Sequence, residues 1–304
     1  MSFLDTFEQM LVLLVAIIAG YAANKRGFLG GETDKKITDL LLNFVTPSLI
    51  LASVLTSEDL PGLREILSVM EVAAVYYAVS FTFVWLGARL LGGTPAQRGV
   101  WRFSMAFSNV GFIGYPVAMA LYGPKGLFYA VILALPFNLL SFTLGPLMLG
   151  GGARFHWKQL FTPCIIASVL SLVLALTRLQ PPAVITESLD FLGSIAIPLS
   201  LVLVGSLLAP LPVREMLGTP RIWCLTVLRL LVMPLVLFVI LRATGLSNEM
   251  VRGIAVVQMG MPVAVTGSLL CMQCSGDAQT MAQSTFLTTL ASIVSIPLLV
   301  SVLL

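Results

Sequence analysis

The residues best able to do chemistry in this 304-residue chain lie in two short stretches, Phe107-Ser-Asn-Val-Gly-Phe-Ile-Gly-Tyr-Pro116 and Gln258-Met-Gly-Met-Pro-Val-Ala-Val-Thr-Gly267. Each sets polar side chains, Asn109 in the first and Gln258 and Thr266 in the second, beside glycines and a proline in otherwise apolar sequence. An amide both donates and accepts, so Asn109 suits a carboxylate or a backbone carbonyl without adding charge. Proline removes a backbone donor and crowds the preceding turn, and glycine lowers the cost of unwinding, so each stretch predicts a helix interrupted partway. An interruption creates a new half-helix N-terminus with free N–H groups and a partial positive charge. Two such ends meeting at one point would favour an anion. The predicted binding residues are Asn109, Val110, Gly111, Gly114 and Pro116 from the first stretch and Gln258, Met259, Pro262 and Thr266 from the second.

Arg229 sits inside an apolar run, where a charge costs at least ~2.5–3.5 kcal/mol and wants a partner. It either faces a cavity and attracts an anion, or caps broken-helix carbonyls and bonds a neighbouring helix. Both readings leave a positive field at the site. Asn138, Ser284, Thr285, Thr288 and Thr289 are secondary candidates, although hydrogen bonding between helices is the commoner use of such residues. None of the fourteen carboxylates lies mid-way along an apolar run, which argues against a cation pump or a carboxylate proton relay. No Ser/His/Asp set, paired Asp or metal-ligand cluster appears, so an enzyme is not expected. His156 lies in a short polar loop with no evident partner, and Cys271 and Cys274 form a CxxC pair without the second pair or βαβ context that zinc or redox chemistry needs. No cofactor is expected.

The elements that must position these residues follow from composition. Hydrophobic residues make up 58% of the chain and charged ones 10%, with a mean hydropathy of +1.00. Soluble domains average roughly 45–50% apolar and ~25% charged residues, so a solvated enzyme, a disordered chain and a disulfide scaffold are all excluded. The chain reads as an all-α polytopic membrane protein. Apolar segments punctuated by charge, Gly and Pro predict ten spans, at 7–24, 37–56, 68–91, 98–122, 126–148, 159–177, 187–209, 220–242, 250–273 and 279–303. The first segment has no Lys or Arg before it, unlike a cleaved signal peptide, and is expected to remain as a helix.

Basic residues sort by side. Loops after odd-numbered spans carry Lys25, Arg26, Lys35, Lys36, Arg89, Arg98, Arg102, Arg154, Lys158, Arg214 and Arg221; the opposite loops carry Arg64, Lys125, Arg178, Arg242 and Arg252. Positive residues favour the cytoplasm, so both termini are expected on the non-cytoplasmic side of the cell (inner or plasma) membrane. The same scatter through short loops argues against nucleic acid as a partner. A weak repeat pairs Pro47 with Pro198, Arg89 with Arg242, Arg98-Gly99 with Arg252-Gly253 and Pro146 with Pro297, in order and at nearly one offset. Five spans per half forces the second half upside down, an architecture of secondary transporters whose paired helix breaks mark a midplane site. The halves are residues 1–149 and 159–304, joined by a short cytoplasmic linker at 150–158.

The sequence resembles the auxin efflux carrier family, whose bacterial members include malate and malonate permeases and whose plant members include PIN-type auxin carriers. The resembling stretches are Gly20-Tyr-Ala-Ala-Asn-Lys-Arg-Gly-Phe-Leu29, Asn109–Pro116, Ile197-Pro-Leu-Ser-Leu-Val-Leu-Val-Gly-Ser206, Arg229-Leu-Leu-Val-Met-Pro234 and Met261-Pro-Val-Ala-Val265, in order along nearly the whole chain. The resemblance implies two inverted five-helix repeats with helices 4 and 9 broken and crossing at prolines, matched here by Pro116 and Pro262. It implies a dimerising scaffold of helices 1, 2, 6 and 7, with homodimer contacts through helices 2 and 7. Helices 3–5 and 8–10 would move as an elevator carrying a small organic anion, its carboxylate held by Asn109. Two features depart from the pattern: Thr266 stands where related bacterial sequences often have Asn, and the central loop is short. The alternatives are a sodium-coupled symporter of the bile-acid-transporter type and a non-transporting membrane sensor. H⁺ and Na⁺ are both open as coupling ions.

Overall fold

The computed structural model of the chain describes residues 3–57, 61–150, 161–212, 216–274 and 276–303. Among them regular structure is helical, with one isolated antiparallel bridge between Ser108 and Val263. The helices are α1 (Phe3–Lys25), α2 (Gly31–Leu55), α3 (Leu63–Leu91), α4 (Pro95–Ala106), α5 (Tyr115–Met148), α6 (Pro163–Thr177), α7 (Ala183–Leu208), α8 (Pro220–Thr244), α9 (Glu249–Met259), α10 (Thr266–Gln273) and α11 (Ala278–Leu303). Local chemistry sets many of the ends. Thr94, Thr162 and Asn248 accept hydrogen bonds from the first-turn amides of α4, α6 and α9, the usual work of an N-cap. Gly92 and Gly245 close α3 and α8 with φ of 59° and 63°.

Three helices widen into a single π-turn, at Leu41–Val45 in α2, Val110–Gly114 leading into α5, and Leu228–Val232 in α8. Each is followed two residues on by a proline: Pro47, Pro116 and Pro234. A proline within a helix has no N–H to give and crowds the carbonyl four residues back. Widening the preceding turn relieves that crowding without a sharp kink, which is why these prolines bend rather than end their helices.

Helices overlie the apolar segments expected from the sequence, and the two rich in Gly and Pro are interrupted by several non-helical residues. Six helical stretches are long and apolar enough to cross a membrane: Gly31–Leu55, Leu63–Leu91, Val110–Phe137, Ala183–Leu208, Pro220–Thr244 and Ala278–Leu303. Val110–Phe137 is not one straight rod, because Gly123 takes φ 67°, ψ −163° ahead of Pro124, a conformation open essentially to glycine. The chain reverses there. Phe107 packs on Phe137 with ring centroids 5.8 Å apart, and a Cβ on Gly99 would come within 2.5 Å of the Met148 carbonyl. The end of α5 therefore runs back along α4, as the expected boundary between the fourth and fifth segments requires.

Packing gathers most of the helices into two sets, joined where α1 meets α11 and Thr46–Leu55 meets α5. α1 lies on Ala196–Leu208, while Thr46–Leu55 packs on α6 and on Ala183–Ser194. The α1–α7 contact is backbone to backbone: a Cβ on Gly20 would meet the Val202 carbonyl, and one on Gly205 would meet that of Ile17. Small residues permit such approach where apolar burial cannot drive association. Asp34, buried at the start of α2, accepts from Ser206 Oγ and from the Gly30 amide, and Asn24 Nδ2 donates to the same Ser206 oxygen at 3.0 Å. In the second set α3 packs on α4, α5, α8 and α9, and α8 and α9 pack on each other. Large apolar side chains such as Val12, Phe44, Phe191 and Val302 stand two-thirds or more exposed, as lipid-facing positions do.

Candidate functional site

The two interrupted helices meet at their breaks. α4 ends at Ala106 and α9 at Met259, and the chain between each end and the next helical turn is extended or irregular. The Asn109 amide donates to the Pro262 carbonyl at 2.8 Å, and the Ala264 amide donates to the Phe107 carbonyl at 3.2 Å. This two-bond antiparallel pair, centred on Ser108 and Val263, satisfies backbone that would otherwise be orphaned in an apolar interior.

Four half-helix ends converge here, two C-termini with surplus carbonyls and two N-termini with surplus amides. Arg229, fully buried in the π-turn of α8, serves the carbonyl ends. Its Nη1 donates to the Met105 carbonyl at 2.9 Å and its Nε to the Met261 carbonyl at 3.3 Å, while Nη2 donates to Ser108 Oγ. Among the described residues it pairs with no carboxylate. A whole positive charge is thus buried against neutral acceptors.

Tyr76 of α3 completes this layer. Its hydroxyl shares a 2.7 Å hydrogen bond with Ser108 Oγ and lies 3.4 Å from the Gln258 carbonyl. Neither Tyr76 nor Ser108 is singled out by the sequence reading. The usable signal was a tyrosine amid an apolar run, since a buried phenol seeks a hydrogen-bond partner.

On the N-terminal side, Asn109 caps the turn that follows it, its Oδ1 accepting from the Phe112 amide at 3.3 Å. Its Nδ2 is buried without a partner among the described residues. Val110 and Gly114 are buried beside it; a Cβ on Gly114 would stand 3.5 Å from Met261. Gly111 is half-buried, and a Cβ there would meet nothing within 4 Å. It borders a small cleft of about 40 Å³ with Phe112, Tyr115 and Pro116 on one wall and Thr46, Ala196 and Ser200 on the other. Pro262 lies at the crossing, but Pro116 lies beyond it on the first turn of α5. The chains cross at Ser108 and Val263 rather than proline to proline. Extended backbone offers both donor and acceptor for the pair, and a proline at a helix start gives up an N–H with no partner anyway.

In the second stretch Gln258 and Met259 are buried; Gln258 Nε2 donates to the Ala130 carbonyl at 3.2 Å, and its Oε1 has no partner among the described residues. Thr266 opens α10 half-buried, its Oγ1 without a partner among the described residues, and that helix has no side-chain cap among them. Thr288 is brought to the crossing, its Oγ1 accepting from the Val263 amide at 3.1 Å. Ser284 Oγ donates to the Thr280 carbonyl within α11, whereas the Thr285 and Thr289 hydroxyls have no partner among the described residues. The Asn138 side chain, His156, Arg214 and the 150–158 linker beyond Gly150 lie outside the described residues. Cys271 is a buried free cysteine and Cys274 a half-buried one. The described residues contain no group of three metal-binding side chains.

Comparison with known proteins adds a family. The model of a family described as "Membrane transport protein" matches residues 5–156 and 152–300. An uncharacterized transporter of Methanothermobacter thermautotrophicus is 28% identical over 307 residues, covering 98% of each chain. One from Methanocaldococcus jannaschii is 26% identical over 310 residues, covering 96% of each. A Rhizobium meliloti protein named "Putative malonate transporter" is 25% identical over 297 residues, covering 92% of this chain and 90% of its own.

Proposed function

The chain belongs to the membrane transport protein family, and from that premise we propose that it is a secondary carrier of a small organic anion, a carboxylate of the malate or malonate kind. The observation that carries this reading is the charge balance at the crossing. Arg229 is committed to the carbonyl ends, so the two N-terminal ends keep an uncompensated positive field, and at the first of them Asn109 Nδ2 has no partner among the described residues. A carboxylate answers such a field with acceptors only, which is what N–H groups need. The malonate in the name of the Rhizobium meliloti relative is a dicarboxylate of this chemistry.

The mechanism we infer is alternating access by an elevator. Ten spans form two inverted repeats, residues 1–149 and 159–304; α1, α2, α6 and α7 are the static scaffold, self-associating through α2 and α7, and the remaining helices carry the crossing. Two features support a moving boundary. The cleft beside Gly111 lies between the two sets of helices, and the Phe112 carbonyl is bridged across that boundary by Ser200 Oγ at 3.1 Å. Asn109 and Gln258 are almost fully covered, so a substrate reaches them only when that boundary shifts. The excess of Lys and Arg in the loops after odd-numbered spans supports both termini lying outside the cytoplasm.

The test is thermal stabilisation of the purified protein by malonate, malate and related carboxylates, each with and without Na⁺ and at two pH values. A ligand of the folded state raises apparent stability with its concentration and affinity. We expect a dicarboxylate shift in the native chain and none in Asn109→Ala. Stabilisation by a cation or a neutral solute alone would overturn the anion reading, and a shift seen only with Na⁺ would name the coupling ion.

A further inference from the structure

A second positive site lies away from the crossing, where α3 turns into α4. Arg89 closes α3, and Arg98 and Arg102 follow one helical turn apart on α4. All three are exposed and line one open cleft together with Trp85, Gly92 and Gly93. The turn that folds them together is firmly built. Gly92 and Gly93 take φ of 59° and 93°, and Trp101 Nε1 donates to the Gly92 carbonyl at 3.0 Å. Arg221 of α8 reaches the same turn, its Nη1 3.3 Å from where a Cβ on Gly93 would stand.

This concentration of charge meets no carboxylate among the described residues: none of these arginines forms a salt bridge there. Arg98 stands within the opening turns of α4, whose first turn holds no acidic residue. Cations are disfavoured at that end of a helix dipole unless an anion joins them. Planar guanidinium groups converging on one cleft match the oxygens of a phosphate.

We infer that Arg89, Arg98 and Arg102 form a phosphate site filled from the bilayer by the headgroup of an anionic phospholipid. The surroundings choose the lipid over free phosphate. Trp85 stacks on Arg89 with 3.8 Å from guanidinium carbon to ring centroid, and Trp85, Leu86 and Leu90 are exposed at the end of a membrane-length helix. An aromatic ring and aliphatic side chains beside arginines make a surface for a headgroup with its acyl chains alongside. Because α3 and α4 lead into the first helix break, a lipid held there bears on the crossing, whichever solute is carried.

The experiment is native mass spectrometry of the purified full-length protein titrated with phosphatidylglycerol, phosphatidylcholine or inorganic phosphate. The native chain should retain phosphatidylglycerol over phosphatidylcholine, and Arg89→Gln/Arg98→Gln/Arg102→Gln should weaken that retention about tenfold or more. Arg64→Gln/Arg178→Gln/Arg242→Gln, which removes equal charge elsewhere, should leave it intact. If the first triple variant does not fold, the single variants Arg98→Gln and Arg102→Gln, both at exposed positions, should each show part of the loss. Equal retention of phosphatidylcholine, or full retention of phosphatidylglycerol by the variants, would overturn the site. Displacement of the lipid by millimolar inorganic phosphate would overturn the lipid as its occupant.

Discussion

At the first helix break the chain supplies its own cap, Asn109 accepting the Phe112 amide, and only three residues separate Ala106 from the next helical turn. At the second, six residues separate Met259 from Thr266, no side chain caps α10, and the order comes from elsewhere: Thr288 holds the Val263 amide and Arg229 the Met261 carbonyl. Both breaks have tertiary contacts, but the first also carries a local side-chain cap, which the second lacks. Two paired breaks need not be chemical copies. With a side-chain cap at one break and none at the other, the proposed anion would meet two different surfaces.

Arg229 ties the breaks together, so its loss has the largest effect. Arg229→Leu leaves the Met105 and Met261 carbonyls without donors, and with about 1.5–3 kcal/mol per charge-assisted hydrogen bond the protein should unfold far earlier in a thermal scan. Arg229→Lys should recover only part, since an ammonium cannot span both carbonyls and Ser108 as a planar fork does. A native-like unfolding temperature for Arg229→Leu would mean that the breaks stand without it.

Next comes Asn109. Asn109→Ala should abolish carboxylate stabilisation while costing only about 1 kcal/mol of fold stability, the usual worth of an N-cap. Asn109→Asp is sharper: it keeps the capping oxygen and should fold as the native chain does, yet repel a carboxylate. Binding retained by Asn109→Asp would show that the first break does not hold the anion.

The second break should respond through its outside support. Thr288→Val strips the Val263 amide of its acceptor and should lower stability by about 1–3 kcal/mol, with Thr288→Ser restoring it; equal effects of Val and Ser would sink this assignment. The smallest effect on folding is expected for Thr266→Val. No hydrogen bond is lost there, so stability should hold within about 0.5 kcal/mol, while carboxylate affinity falls a few-fold. Unchanged affinity would leave recognition to the first break alone.

What could be read from the chain before folding was whatever acts within a helical turn. A proline lacks its N–H wherever it stands, glycine is flexible wherever it stands, and a run of apolar residues is long enough to span a bilayer or is not. Those facts located the helices, both breaks and Asn109, and the resemblance to auxin efflux carriers followed from the same residues. The partners were not legible. Arg229 and the Met105 carbonyl lie 124 residues apart, Tyr76 and the Gln258 carbonyl 182. In helices apolar on every side, periodicity does not say which face meets which neighbour. Composition and local backbone chemistry therefore determined that this is a membrane protein with two paired interruptions. Only the tertiary structure decided that Arg229 attends the carbonyl ends, that Ser108, Tyr76 and Thr288 complete the crossing, and that the side-chain Nδ2 of Asn109 meets no partner among the described residues, because each of those outcomes depends on which distant group arrives to satisfy a buried polar atom.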